Sequence, residues 1–94
     1  MLCVYAVVRA SHPGVDGPGV HRRPTALVRS GDLGAIVSET DGELLARRRD
    51  VDAHLTVLEQ ALMVGDVLPL RFGALVDDAN AVRSLLDRSG PRFR

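Results

Sequence analysis

The sequence has no lysine and no tryptophan, a single cysteine, and aromatic residues at only 3%. Each shortage removes a class of function. Cys3 alone cannot close an internal disulfide, so a reducing, cytoplasmic setting is expected rather than a stapled secreted scaffold. No apolar run approaches the ~18 residues that a membrane-spanning helix needs. The opening MLCVYAVVRASHP lacks a basic region ahead of its apolar residues, so it reads as a strand and not a signal peptide. Surplus charge is missing too: twelve arginines balance twelve acids. A sequence-blind nucleic-acid binder carries a basic excess, so neither nucleic acid nor membrane is expected as a partner.

What is present suffices for one small domain. The chain has 94 residues, 46% of them apolar, which is enough for a single core and argues against disorder. Leu2 to Arg9 (LCVYAVVR) is β-branched and aromatic, and reads as a strand. Simple alternation puts Leu2, Val4, Ala6 and Val8 on one face and Cys3, Tyr5 and Val7 on the other. Both faces are apolar, as in a central strand covered on two sides. Ser11 to Pro24 holds three glycines and three prolines, and is a long loop of the kind that is usually functional or mobile.

Thr25–Ser30 and Leu33–Ser38 flank Gly31-Asp32, a two-residue hairpin signal. That turn pairs Ser30 with Leu33, Val28 with Ala35 and Ala26 with Val37. Thr40 and Glu43 have the spacing of a capping box, predicting a helix from about Asp41 to Val64 that ends at Gly65. Its buried stripe is expected to be Leu44, Val51, Leu55, Leu58 and Leu62. Val67 to Phe72 alternates as a strand, with Leu68, Leu70 and Phe72 on one side, and Pro69 suits a sheet edge. Asp77 or Asp78 caps a last helix that ends near Gly90-Pro91. The order β-β-β-α-β-α describes an α+β domain with two helices on a mostly antiparallel sheet. The third and fourth strands, joined through a helix, can lie parallel. Two helices are few for a sheet with a doubly apolar strand, so one face is expected to stay open for a partner.

Chemistry-bearing constellations were sought residue by residue. His12, His21 and His54 are scattered, with no second ligand at i+3 or i+4, so no metal site is expected. Cys3 inside a strand suits a small buried hydrophobe better than a nucleophile. The Gly-rich loop lacks the Lys-Ser/Thr and the strand–helix context of a phosphate cradle. No group of side chains combines nucleophile, base and oxyanion donor, so neither an enzyme nor a cofactor is expected. Arg47-Arg48-Arg49 is the sharpest charge feature. Its residues point ~100° apart on a helix and Asp50 and Asp52 follow at once, so it is either a solvated face or a docking surface.

Three segments in their order carry a resemblance: GDLGAIVSE (Gly31–Glu39), LLARRRDVDAHLTVLE (Leu44–Glu59) and VLPLRFG (Val67–Gly73). With the Tyr5 strand and the Asp77-Asp78 helix start, they resemble the amino-terminal domain of the gas vesicle GvpL/GvpF accessory proteins. The likeness covers residues 3 to 88. It implies a ferredoxin-like style of α+β fold, with residues 1–94 as one domain and a second, helix-rich domain absent from this chain. It also implies a non-enzymatic role at the gas vesicle: assisting shell assembly through contacts with the main shell protein and other accessory proteins. On that reading Arg47, Arg48, Arg49, Arg71 and Tyr5 are the candidate partner-docking residues. Arg71 is alternatively expected to anchor a strand end on a carboxylate or on helix-end carbonyls. From a different functional class, the alternative is a small ligand-binding regulatory domain of ferredoxin-like type, which predicts a concave pocket with convergent polar groups.

Overall fold

A computed structural model describes residues 1–40 and 47–93 of the chain. The strands are β1 (Leu2–Arg9), β2 (Thr25–Ser30), β3 (Leu33–Glu39), β4 (Val67–Pro69) and β5 (Leu75–Val76). The helices are α1 (Arg48–Leu62) and α2 (Ala79–Phe93). A single sheet runs β2-β3-β1-β4, with β5 also on β1, and all pairings are antiparallel. The hairpin has the register the turn dictates: Ser30 opposite Leu33, Val28 opposite Ala35, Ala26 opposite Val37. Gly31 takes a positive φ of 58°, which a residue without Cβ adopts freely. β3 and β4 run in the same direction with β1 inserted between them, and Pro69 stands on an edge strand, where its missing N–H does no harm.

Simple alternation fails inside β1. Val4 pairs with Val37, but Ala6 pairs with Ile36, so Tyr5 is an extra residue on the strand. The bulge resets the pleat. Cys3, Tyr5, Ala6 and Val8 all enter the core layer under α1, whereas Val4 and Val7 enter the layer under α2. The neighbouring edge breaks at the same level. Leu70 donates its N–H to the Tyr5 carbonyl, the chain turns through Gly73, and pairing resumes with Val4 accepted by the Ala74 carbonyl. Leu68 and Leu70 therefore pack toward α2 while Phe72 packs toward α1, instead of sharing one side.

No face of β1 is left open. Cys3 through Val8 are all fully buried, with α1 over one side and α2 over the other. The expectation of an uncovered sheet face is thus overturned. The long loop supplies the cover that two helices could not, because Val15 and Val20 pack into the α1 layer. Hydrogen bonds pin it there. His12 Nε2 donates to the Ala61 carbonyl while its Nδ1 accepts from Gly14 N–H, each at 2.9 Å. Thr25 Oγ1 donates to the Val15 and Gly17 carbonyls, and Val20 N–H donates to Tyr5 Oη at 2.8 Å.

The end of α2 and the start of α1 differ from the simple reading. Asp78 caps α2 as expected, accepting the Ala81 N–H at 2.9 Å. α2 then continues through Gly90-Pro91 to Phe93. α1 begins only at Arg48, because Arg47 is extended (φ −77°, ψ 145°). The capping-box partner Glu43 lies outside the described residues. Gly65 has ordinary backbone angles, and a Cβ there would meet the His12 ring at 2.9 Å, so close approach rather than a left-handed cap explains it.

Candidate protein-docking surface

The sequence of α1 holds two stripes with the same 4-3-4 spacing, one residue apart. One is Val51-Leu55-Leu58-Leu62; the other is Asp50-His54-Val57-Ala61. The fold buries the second. Leu55 is 48% exposed and Leu62 61%, followed by Met63 at 84% and Val64 at 55%. Val51 and Leu58 are half-buried at the flank. The predicted core stripe is therefore turned ~100° away from the sheet, one residue's rotation on a helix.

Specific partners explain why the more polar stripe goes inside. His54 Nε2 donates to the Leu70 carbonyl at 2.9 Å, which holds the β4–β5 loop to the helix. Its ring lies 5.3 Å from that of Tyr5 and meets Phe72 edge-on at 5.8 Å. Burial pushes the His54 pKa down and so favours the neutral ring, against a smaller upward pull from the Leu70 carbonyl. Ala61 is small enough for His12 to reach its carbonyl. Asp50, buried in the first turn, has His21 Nε2 3.6 Å from its Oδ2. Leucines in these places would leave the Leu70 carbonyl without its donor.

The five candidate docking residues fall into three groups. Arg47, Arg48 and Arg49 are all exposed at the start of α1. Arg48 Nε lies 3.9 Å from Asp52 Oδ2, an exposed i,i+4 pair that contributes little. Arg49 lines an open cleft of about 590 Å³ between α1 and the long loop, with His21, Arg22, Asp50 and Gln60 around it. Arg71 is exposed in the β4–β5 loop and pairs with no carboxylate or carbonyl among the described residues, so the anchoring role is not seen. Tyr5 is a correction. It is fully buried, its hydroxyl is 2.7 Å from Ser38 Oγ and accepts from Val20 N–H, and it presents nothing to a partner. It lies on the interior strand β1, whose two faces are both covered, and that is the reason.

Sequence reasoning missed His21 and Arg22, which the fold brings beside Arg49, and Leu55, Leu62, Met63 and Val64, which it exposes. His21 and Arg22 both have φ of 59°, a strained conformation for residues with side chains. The duplicate spacing in α1 was the available signal for the leucines. Elsewhere the described residues offer no reactive centre of the Cys–His type: burial pushes the Cys3 thiol up to about 11 and leaves it fully enclosed. Among the described residues, no three His, Cys, Asp or Glu side chains converge as a metal site would require, and no helix is long and apolar enough to cross a membrane.

Comparison with known proteins then decides the family. The family model for gas vesicle synthesis protein GvpL/GvpF matches residues 1–94. The chain belongs to that family. A curated relative, gas vesicle protein F of Streptomyces sp. (strain CB03234), is 40% identical over 88 residues. The match takes in 89% of this chain but 37% of the relative, so the chain spans well under half of that protein's length. No solved structure matches. Membership supports a gas-vesicle-related role, in a family of structural and accessory proteins rather than enzymes.

Proposed function

We propose that this chain assists gas vesicle assembly as a protein-contact module, touching the main shell protein and other accessory proteins through the outer side of α1. The observation that carries the proposal is the exposed apolar group Leu55, Leu62, Met63 and Val64 along and just past the end of α1, with the exposed Arg47, Arg48 and Arg49 at its start. Exposed large apolar side chains gathered at one place are the ordinary mark of a contact surface. Arginines at the opposite end of the helix add charge that selects among partners and speeds encounter. A hydrophobic shell protein suits such a surface.

Capture of purified shell protein and accessory gas vesicle proteins tests the reading. The wild type is compared with Leu62→Asp/Met63→Asp and with Arg47→Glu/Arg48→Glu/Arg49→Glu. The apolar double variant is expected to weaken capture about tenfold or more, equivalent to roughly 1.4 kcal/mol. The arginine variant is expected to slow association and to reduce its salt dependence. Undiminished capture by the apolar variant rules out this surface.

A further inference from the structure

The apolar side of α1 has a pattern that says more about its occupant. Val51, Leu55, Leu58 and Leu62 follow the alternating 4-3-4 spacing of a helix–helix seam. The seam covers three turns, ~16 Å of helix. Asp52 and Glu59 are both exposed, seven residues apart, and each directly follows a seam residue, so they stand in one row on its outer flank. The inner flank is already used, because His54 and Ala61 pack against the sheet. The outer flank carries the exposed acids that can read a partner, Glu59 and Asp52, the latter only loosely paired with Arg48 at 3.9 Å.

We propose that this seam receives an amphipathic α-helix of a separate partner protein, with apolar residues at the same spacing and Arg or Lys facing Asp52 and Glu59. This rests on the docking reading above and names the chemistry of its partner. An antiparallel approach brings the partial negative charge of the incoming helix's C-terminus to Arg47, Arg48 and Arg49. A helix laid along i, i+3/i+4, i+7 anchors is a recurrent recognition mode, and a seam of this length matches it. A second copy of this chain fits poorly. Two α1 helices packed antiparallel, Leu55 of each against Leu58 of the other, would bring Glu59 of one beside Asp52 of its mate, and like charges repel.

The test uses two synthetic helical peptides that share one leucine seam and differ only at the outer-flank positions, lysine in one and glutamate in the other. Fluorescence anisotropy of each labelled peptide is measured against the 94-residue chain at low and high salt. The lysine peptide is expected to bind about tenfold tighter than the glutamate peptide, with the gap narrowing in salt. Asp52→Lys/Glu59→Lys is expected to reverse the preference. Leu55→Asp, at an exposed position, is expected to abolish binding of both while the circular dichroism spectrum stays unchanged. Equal affinity for the two peptides overturns the inference, as does a preference that the double charge variant leaves in place. Concentration-dependent dimers in sedimentation, lost in Leu55→Asp, overturn it in favour of a second copy. If neither peptide binds but capture of shell or accessory protein still depends on Leu62 and Met63, the helical occupant is wrong and the docking reading stands. If the lysine peptide binds as described but no gas vesicle protein is captured, the docking reading alone falls.

Discussion

The two layers beside the sheet are built from different materials. Under α2 the buried cluster is aliphatic throughout: Val4, Val7, Leu33, Ala35, Val37, Val82 and Leu86. Under α1, Cys3, Tyr5, Ile36 and Val57 share the space with buried Ser38, His12, Asp50 and His54. An aliphatic layer is held by volume, and many rotations of a helix satisfy volume nearly as well. A polar layer is held by addresses. The Leu70 carbonyl needs the His54 ring, the buried His12 ring needs the Ala61 carbonyl, and Val20 N–H needs the Tyr5 hydroxyl. Satisfying those groups together leaves one orientation for α1. That orientation sends the leucines to the surface, so the polar layer creates the docking surface on the far side of the same helix.

The sharpest way to separate the layers is to remove volume from the aliphatic one. Leu86→Ala leaves a cavity under α2 and is expected to destabilise the domain by about 2–5 kcal/mol in urea denaturation. On the other side, Tyr5→Phe keeps the ring but strands the buried Val20 N–H. A loss of about 1–3 kcal/mol is expected, with faster hydrogen exchange in the loop around Val20 as its signature. A drop in stability with no change in loop exchange would break the claim that Tyr5 anchors the loop.

A smaller effect distinguishes the layers by pH. The folded His54 pKa lies below its ordinary value, so the unfolded chain binds more protons than the folded one once pH falls below about 6.5. Stability should be unaffected by this group above that pH and decline from there down to the folded pKa. At the alkaline end Cys3 is raised from 9.0 to about 11, so stability is expected to fall as pH climbs through that window. Both losses belong to the α1 layer; the aliphatic cluster under α2 has no ionisable group. A thermal midpoint flat from pH 7 to 5 contradicts the assignment for His54. The smallest effect is expected at the exposed stripe, where Leu62→Ser should change stability by no more than about 0.5 kcal/mol. Several kcal/mol at Leu62 would mean that the leucine side of α1 is core after all.

Much of the fold was legible because it follows from local rules. Gly31-Asp32 specified the hairpin and its register, Asp78 the start of α2, and Pro69 an edge position. The doubly apolar β1 pointed correctly to a central strand. The bulge at Tyr5 was not legible, since alternation carries no mark of an extra residue, and neither was the break between β4 and β5 that lies beside it. Arg47, Arg48 and Arg49 stand exposed where a charge run suggested they would. The leucines of α1 were misassigned because hydrophobicity alone ranks them above Asp50, His54, Val57 and Ala61. It does not register the carbonyls and N–H groups that wait on the other side of the gap.

By itself, the order of residues determined which segments become strands and helices, how the hairpin pairs, and to which family the chain belongs. These depend on neighbours within a few positions, or on likeness read along the chain. Tertiary structure alone decided which of two equally spaced stripes α1 hides. That choice turns on buried polar partners from Tyr5, the long loop and the β4–β5 turn, residues distant in the chain whose bonds can form only once the layers have met.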